Sequence, residues 1–247
     1  VHDREWMLVT NDGQFLTQRE CPRMAIVTPR VEGDALVVNA PGMPPLPLAL
    51  AGQQAGRTVR VRIWDDLVEA DDCGDAAAAW FAQALDTPCR LVRFKPDSAR
   101  PTSEKWTAGA PSAARFADAY PLLLIGQAAL DEINDRMRAA GRAPLPMDRF
   151  RPNLVVEGTD PFEEDYTASF QAGDIVIAPV KPCARCPIPA IDQATGIPGP
   201  DPLDILQSWR GKPILDGAVC VGMNCIVADG AGGVLRVGQP LAVSLSF

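Results

Sequence analysis

The chain has 247 residues, of which 47% are apolar and 22% charged, enough to build a sizeable core without covalent staples. Acidic residues number 31 against 23 basic ones, for a formal net charge of −8. That balance excludes the basic patch a duplex-binding protein needs to displace counterions, so no nucleic acid duplex is expected as a partner. A small anionic ligand needs only a few local arginines. No apolar run approaches the roughly 18 residues of a membrane span, and no secretory signal pattern opens the chain, so no membrane span is expected. The seven cysteines leave at least one thiol unpaired, which fits a reducing compartment, taken to be the cytoplasm. The single histidine, His2, lies at the start of the chain. It excludes a Ser-His-Asp triad, a His-rich zinc site and an internal His general base.

In chain order, residues 5–10 read as a strand and Asn11-Asp12-Gly13 as a turn, with Phe15–Thr17 as the returning hairpin arm. Met24–Pro29 and Ala35–Asn39 continue the strand pattern. Thr58–Trp64 alternates apolar and basic residues, as a half-buried strand does. Gly74–Leu85 is rich in helix formers, with Asp75 as N-cap, and Cys89–Phe94 follows as a strand. The polar, proline-bearing stretch Lys95–Ser112 reads as a mobile surface loop and domain boundary, placing domains at 1–95 and 96–247.

Pro121–Ile125 reads as a short strand leading into a helix over Gln127–Ala140, with Leu130, Ile133 and Met137 at helical spacing and Gly141 as the stop. Strands are expected at Leu154–Glu157, Gly173–Val180, Val219–Ala228 and Val234–Phe247, and a short helix at Pro202–Arg210. Short strands, few helices and no βαβ alternation point to a mainly β fold with a few helices (α+β), a closed or partly closed barrel with helical decorations.

The sharpest local feature is Lys181-Pro182-Cys183-Ala184-Arg185-Cys186-Pro187. A zinc site would need further ligands, and Cys220 and Cys225 stand at the wrong spacing for a knuckle. A thioredoxin-type pair would open a helix, whereas this one follows a strand and meets Pro187 and Pro189. On spacing alone, two cysteines acting as small apolar residues is the ordinary reading. Arg185 shifts that balance, because a guanidinium beside a cysteine favours thiolate and offers a rigid donor fork to a phosphate or metal-oxo group. Thiolates in turn suit soft metals. The second feature is Arg149-Phe150-Arg151-Pro152-Asn153. There Pro152 is expected to hold Arg151 extended and aim it, and Asn153 supplies a donor and an acceptor. Such a turn is ordinarily a solvated connector; functionally it would clamp a phosphate or a pterin.

Taken in order, Arg-Pro-Asn-Leu-Val-Val, Gly-Asp-Ile-Val, Lys-Pro-Cys-Ala-Arg-Cys, Gly-Met-Asn and Val-Gly-Gln-Pro-Leu resemble the MOSC domain. Upstream, Asp-Arg-Glu-Trp-Met-Leu-Val and Phe-Leu-Thr-Gln-Arg-Glu-Cys-Pro-Arg-Met resemble the β-domain that precedes it. The chain as a whole looks like the mitochondrial amidoxime-reducing components and their bacterial homologues. The resemblance implies a MOSC β-barrel packed with a smaller N-terminal β-domain, and a molybdenum cofactor (molybdenum on molybdopterin). By the same resemblance Cys186 ligates the metal, and Ala184 and Arg185 lie against the cofactor. Arg151 and Asn153 hold the pterin. Arg4 matches a cofactor-binding arginine, Asp118, Ala119 and Tyr120 match a cofactor-lining loop, and Asn224 is a further contact. Cys183 is structural or supports the ligand, and Asp118 is the candidate for proton delivery.

Three departures bear on function. A family Lys-Ser cofactor contact falls before Val1, so that part of the pocket would be absent or come from a preceding segment. Pro189-Ala190 stands where relatives have Thr-Thr, which removes two hydroxyl contacts. Some bacterial relatives end in a ferredoxin domain, whereas this chain ends at Phe247, so electrons are expected from a separate protein: a flavin reductase, a cytochrome b5-like haem protein or a ferredoxin-like protein. The implied activity is reduction of N-hydroxylated compounds such as hydroxylamines, amidoximes and N-hydroxylated bases, with the cofactor doing the chemistry. The alternative is a cofactor-binding or sulfur-handling module. MOSC domains also resemble the C-terminal part of molybdenum cofactor sulfurases, whose separate pyridoxal phosphate domain mobilises sulfur.

Overall fold

A computed structural model describes residues 2–51 and 57–246, which divide into two compact units. The first comprises Val1–Arg100, Arg115–Asp118 and Ile191–Gly199, and the second Pro101–Ala114, Ala119–Ala190 and Pro200–Phe247. Among the described residues no helix is long and apolar enough to cross a membrane.

The first unit holds strands β1 (Trp6–Val9), β2 (Thr28–Glu32), β3 (Ala35–Asn39), β4 (Leu46–Ala49), β5 (Thr58–Ile63) and β6 (Asp66–Asp72), helix α1 (Asp75–Leu85) and strand β7 (Arg90–Phe94). One antiparallel sheet runs β1-β7-β6-β5 and a second runs β2-β3-β4. The alternation read over Thr58–Trp64 is realised: Val61 and Ile63 are buried while Thr58 and Arg60 face water. Leu8, Leu36, Val38, Trp80, Phe81 and Leu91 form one core cluster; Val61, Ile63, Val92, Phe94 and Phe116 form another.

Several expectations for this unit are corrected. Phe15–Thr17 forms no regular strand, although Phe15 bridges Val9 and Gln14 bridges Arg62. Met24–Pro29 is not one strand, because Pro22 opens a 3-10 turn over Pro22–Ile26 before β2 begins. Asp75 is the first helical residue, not the cap. Gly74 holds the cap position at φ +91°, where its N–H donates to Asp72 Oδ1 at 2.9 Å.

The second unit holds helix α2 (Glu104–Thr107), strand β8 (Leu122–Gly126), helix α3 (Gln127–Ala139), strands β9 (Leu154–Val156), β10 (Thr167–Ala172) and β11 (Ile175–Ala184), helix α4 (Leu203–Arg210) and strands β12 (Gly211–Lys212), β13 (Ala218–Asp229) and β14 (Ala242–Leu245). Its sheet runs β14-β10-β11-β13-β8-β9, with β12 beside β13. The helical spacing over Gln127–Ala140 is borne out, with Leu130, Ile133 and Met137 buried. Strand β8 is covered on both faces: Leu124 packs with Phe170, Ile177 and Met223, and Ile125 with Ile133, Phe150 and Leu206. Each such fully buried side chain contributes about 1.5–3 kcal/mol relative to exposure.

Here too the structure corrects the reading. Strands β8 and β9 pair in parallel across α3, so one βαβ unit is present where none was expected. Lys95–Ser112 is not simply a surface loop, since it carries α2 and the buried Arg100. The last strand is confined to Ala242–Leu245, and the expected end at Phe247 lies outside the described residues. Strand β11 runs to Ala184, four residues past the expected Val180, so the cysteine motif begins on a strand.

Strand β13 bulges opposite Pro182–Ala184, and Gly222 sits in that bulge at φ +75°. A β-carbon there would lie 2.5 Å from Ile125 Cγ1 and 2.6 Å from Leu124 O. Gly222→Ala is therefore expected to destabilise the protein by about 2–4 kcal/mol, combining an unfavourable φ with overpacking. For a chain of this size each kcal/mol lowers the thermal midpoint by roughly 2–4 °C. A midpoint within 2 °C of wild type, about what 1 kcal/mol produces, would contradict the bulge geometry.

In the first unit Glu5 is nearly buried and accepts from His2 Nδ1 and Arg93 Nε, both at 2.7 Å. Burial alone would raise its carboxyl, but His2 and Arg93 hold it below the usual carboxylate range. The sign follows from linkage: a lowered folded-state pKa stabilises above the ordinary carboxylate value, and that contribution is lost as pH falls through the folded value. Glu5→Gln should therefore flatten the loss of stability below about pH 5, read from urea midpoints against pH. An acid limb as steep as wild type would refute the linkage.

Candidate cofactor site

In the second unit the site is built around the end of β11. The ladder with β13 pairs Lys181 with Asn224, Pro182 with Met223 and Ala184 with Cys220, and Arg185 N continues it by donating to Val219 O at 2.8 Å. Side chains alternate along such a strand, so Cys183 and Arg185 fall on one side. The contacts agree: Arg185 Nη1 donates to Cys183 Sγ at 3.2 Å. The hydrogen bond from Arg185 to sulfur is thus made to Cys183. Arg185 Nη2 donates to Phe150 O at 2.9 Å, tying the strand end to the turn that carries Arg151. Arg185 Nε is buried without a partner.

Four thiols belong to this unit, and burial separates them. Cys220 and Cys225 are fully buried. Burial pushes the Cys220 thiol up to about 11 and the Cys225 thiol higher still, so both stay protonated and are poor ligands. Cys183 and Cys186 are half-buried and free of disulfides, leaving these two as the accessible sulfurs. Among the described residues no group of three or more His, Cys, Asp or Glu side chains is placed to hold a bare metal ion.

Arg151 is exposed at the end of a 3-10 turn over Met147–Arg149 and lies at φ +55°. The expectation that Pro152 keeps it extended is therefore wrong. Arg151 N closes the turn by donating to Asp148 O at 3.1 Å, and the left-handed conformation ends the helix. Asn153 joins β9 to β8: its N–H donates to Leu123 O at 2.8 Å and its Oδ1 accepts from Leu123 N at 2.9 Å. That acceptor is thus committed to the strand junction. Asn224 is half-buried on β13, with Nδ2 3.5 Å from Pro182 O. Ala184 is exposed at the strand end. Ala119 is exposed, and Tyr120 is buried, which raises its phenol.

The Pro189-Ala190 pair is buried within a 3-10 turn, and its carbonyls accept from Arg149 Nη1 at 3.4 and 3.1 Å. Arg149 was singled out in the sequence only as part of the arginine–proline turn. Its hold on the segment after Cys186 had no local signal.

Arg4 and Asp118 belong to the first unit, which brings their segments together: Phe116 N donates to Arg4 O at 3.1 Å. Arg4 is one of nine non-glycine residues with positive φ among the described residues, at φ +54°, and its guanidinium pairs with Asp3 at 2.7 Å. Non-glycine residues held in that region cluster at functional sites. Asp118 is exposed and pairs with Arg19 Nη2 at 3.3 Å; Arg19 in turn lies 4.9 Å from the Trp64 ring.

Comparison with known proteins places these residues in context. The MOSC N-terminal beta barrel domain matches residues 1–88 and the MOSC domain matches residues 111–242. Mitochondrial amidoxime reducing component 2 of Rattus norvegicus is 33% identical over 98% of this chain and 73% of that protein. The Homo sapiens component 2 is 34% identical over 85% of this chain. Mitochondrial amidoxime-reducing component 1 of Danio rerio is 30% identical over 98% of this chain and 74% of that protein. The aligned stretch spans 63% of the human protein's length. The chain belongs to the MOSC family, with a MOSC N-terminal domain and a MOSC domain in succession.

Proposed function

We propose that this chain is a molybdenum-cofactor-dependent oxidoreductase that reduces N-hydroxylated compounds with electrons from a separate protein. Residues 1–95 form its N-terminal domain and 96–247 its MOSC domain, and the cytoplasm is its compartment. The relatives' name, amidoxime reducing component, supports the substrate class. The observation that carries the reading is the end of β11: an accessible thiol at Cys186, one residue from a guanidinium with a buried, unpartnered Nε. A soft sulfur donor beside an orphaned cationic N–H fits a soft metal carrying anionic oxygen and sulfur groups.

Cys186 supplies the thiolate. Arg185, fixed through Cys183 and Phe150, offers its Nε–H to the anionic group, and Ala184 leaves the strand end uncluttered. Arg151 and Asn153 hold the pterin side, with Arg4, Ala119, Tyr120 and Asn224 as further contacts. When bound, the molybdenum–pterin group supplies two-electron oxygen-atom transfer. For a hydroxylamine the N–O bond breaks, two electrons and two protons enter, and amine and water leave. Asp118 delivers a proton from its carboxyl to the departing oxygen. A flavin reductase, a cytochrome b5-like protein or a ferredoxin-like protein supplies the electrons.

The test is elemental analysis of freshly purified protein together with turnover of a hydroxylamine by the holoenzyme. Molybdenum near one per chain with turnover is expected, and cofactor retention without turnover would favour the binding module instead. Cys186→Ser should lose the metal and the activity together, while Cys183→Ser, which leaves a hydroxyl to accept from Arg185, should be milder. Arg151→Ala should lower cofactor retention more than stability, because an exposed arginine contributes little to folding. Unchanged molybdenum and turnover in Cys186→Ser would end the assignment.

A further inference from the structure

We propose that Arg100 is a positioning residue that fixes the loop carrying Asp118; this rests on the role proposed above for Asp118. Arg100 sits between β7 and α2 in a stretch without regular structure, yet it is only 5% exposed. Its guanidinium gathers three carbonyls of one short segment. Nη1 donates to Arg115 O at 3.0 Å and to Ala117 O, and Nη2 donates to Asp118 O at 2.8 Å. Nε donates to Asp66 Oδ2 at 2.7 Å, and that carboxylate orients the fork from the end of β6 nearest the hairpin turn.

The segment needs such a clamp. It has no strand or helix partner to take its carbonyls, and Arg115 is held at φ +45°, a conformation that persists only where its surroundings impose it. Phe116 anchors one side, packing edge-on against Phe94 at 5.1 Å and donating from its N–H to Arg4 O. With Arg115, Ala117 and Asp118 tied by their backbones and Phe116 buried, the Asp118 side chain is left pointing to solvent against Arg19. Arg100 thus sets the backbone from which that carboxyl projects, and Arg19 steadies the carboxyl itself. A lysine could not replace Arg100, because an ammonium lacks the planar fork that reaches one carboxylate and three carbonyls at once.

The experiment compares wild type, Arg100→Lys and Asp118→Asn as full chains loaded with cofactor. Amide hydrogen exchange is read at residues 115–118 and in β5–β7, with molybdenum content and the pH profile of kcat/KM for a hydroxylamine. For Arg100→Lys we expect at least tenfold faster exchange at residues 115–118, with β5–β7 unchanged. We also expect kcat/KM to fall at least tenfold at unchanged molybdenum content, with its pH profile altered in the sense seen for Asp118→Asn. Asp66→Asn removes only the orienting carboxylate, so it keeps the test open if Arg100→Lys fails to fold. It should give the same changes at smaller amplitude.

Loop exchange and pH profile both equal to wild type would overturn the proposal. So would a lowered thermal midpoint with the pH profile unmoved, which is the signature of a merely structural residue. If wild type itself holds no molybdenum and turns over no hydroxylamine, the functional reading fails, while the exchange measurement still decides whether Arg100 holds the loop.

Discussion

The antiparallel pairing of β11 with β13 is the constraint on which the second unit depends. It places Lys181 opposite Asn224 and Ala184 opposite Cys220, and it breaks register around Val180 and again at Gly222. These irregularities bend the ladder where the cysteine motif begins. Continued by the bond from Arg185 to Val219, the strand carries Cys183 and Arg185 on one side and releases the chain at Cys186. Behind it, Cys225, Met223 and Leu124 close the core, so the ladder cannot slip without exposing apolar surface.

A second theme is the internal use of arginine. The chain is acidic by composition, yet several of its guanidinium groups are committed to backbone carbonyls. Arg185 takes Phe150 O, Arg149 takes Pro189 O and Ala190 O, Arg100 takes three carbonyls around Asp118, Arg93 takes Leu50 O, and Arg210 takes Cys220 O. Each tie satisfies a backbone acceptor, and a charged donor makes such a bond stronger than a neutral one. Arg210 also meets Asp165 in an ion pair almost closed to solvent, which Lys212 joins from the same side.

Patterned elements were legible in the sequence, and the exceptions have particular causes. The strand at Asp66–Asp72 was not read because its sequence, Asp-Leu-Val-Glu-Ala-Asp-Asp, has low strand propensity; it forms because β5 and β7 flank it on both edges. The strand at Leu46–Ala49 is hidden by its proline, Pro47, which an edge position tolerates. Strands β8 and β9 are both legible in the sequence, at Pro121–Ile125 and Leu154–Glu157, but their parallel pairing is not, because strand order is set by contacts between distant segments.

Composition, the 2.0 and 3.6 periods and the motif order therefore determined the fold class, the main strands, helix α3 and the set of residues to inspect, since those signals reside in neighbouring side chains. Tertiary structure alone decided that Arg185 bonds Cys183 rather than Cys186, that Arg151 lies in the left-handed region, and that Arg100 and Arg149 act on distant carbonyls. Their bonds reach segments 15–41 residues away along the chain, which no local pattern encodes.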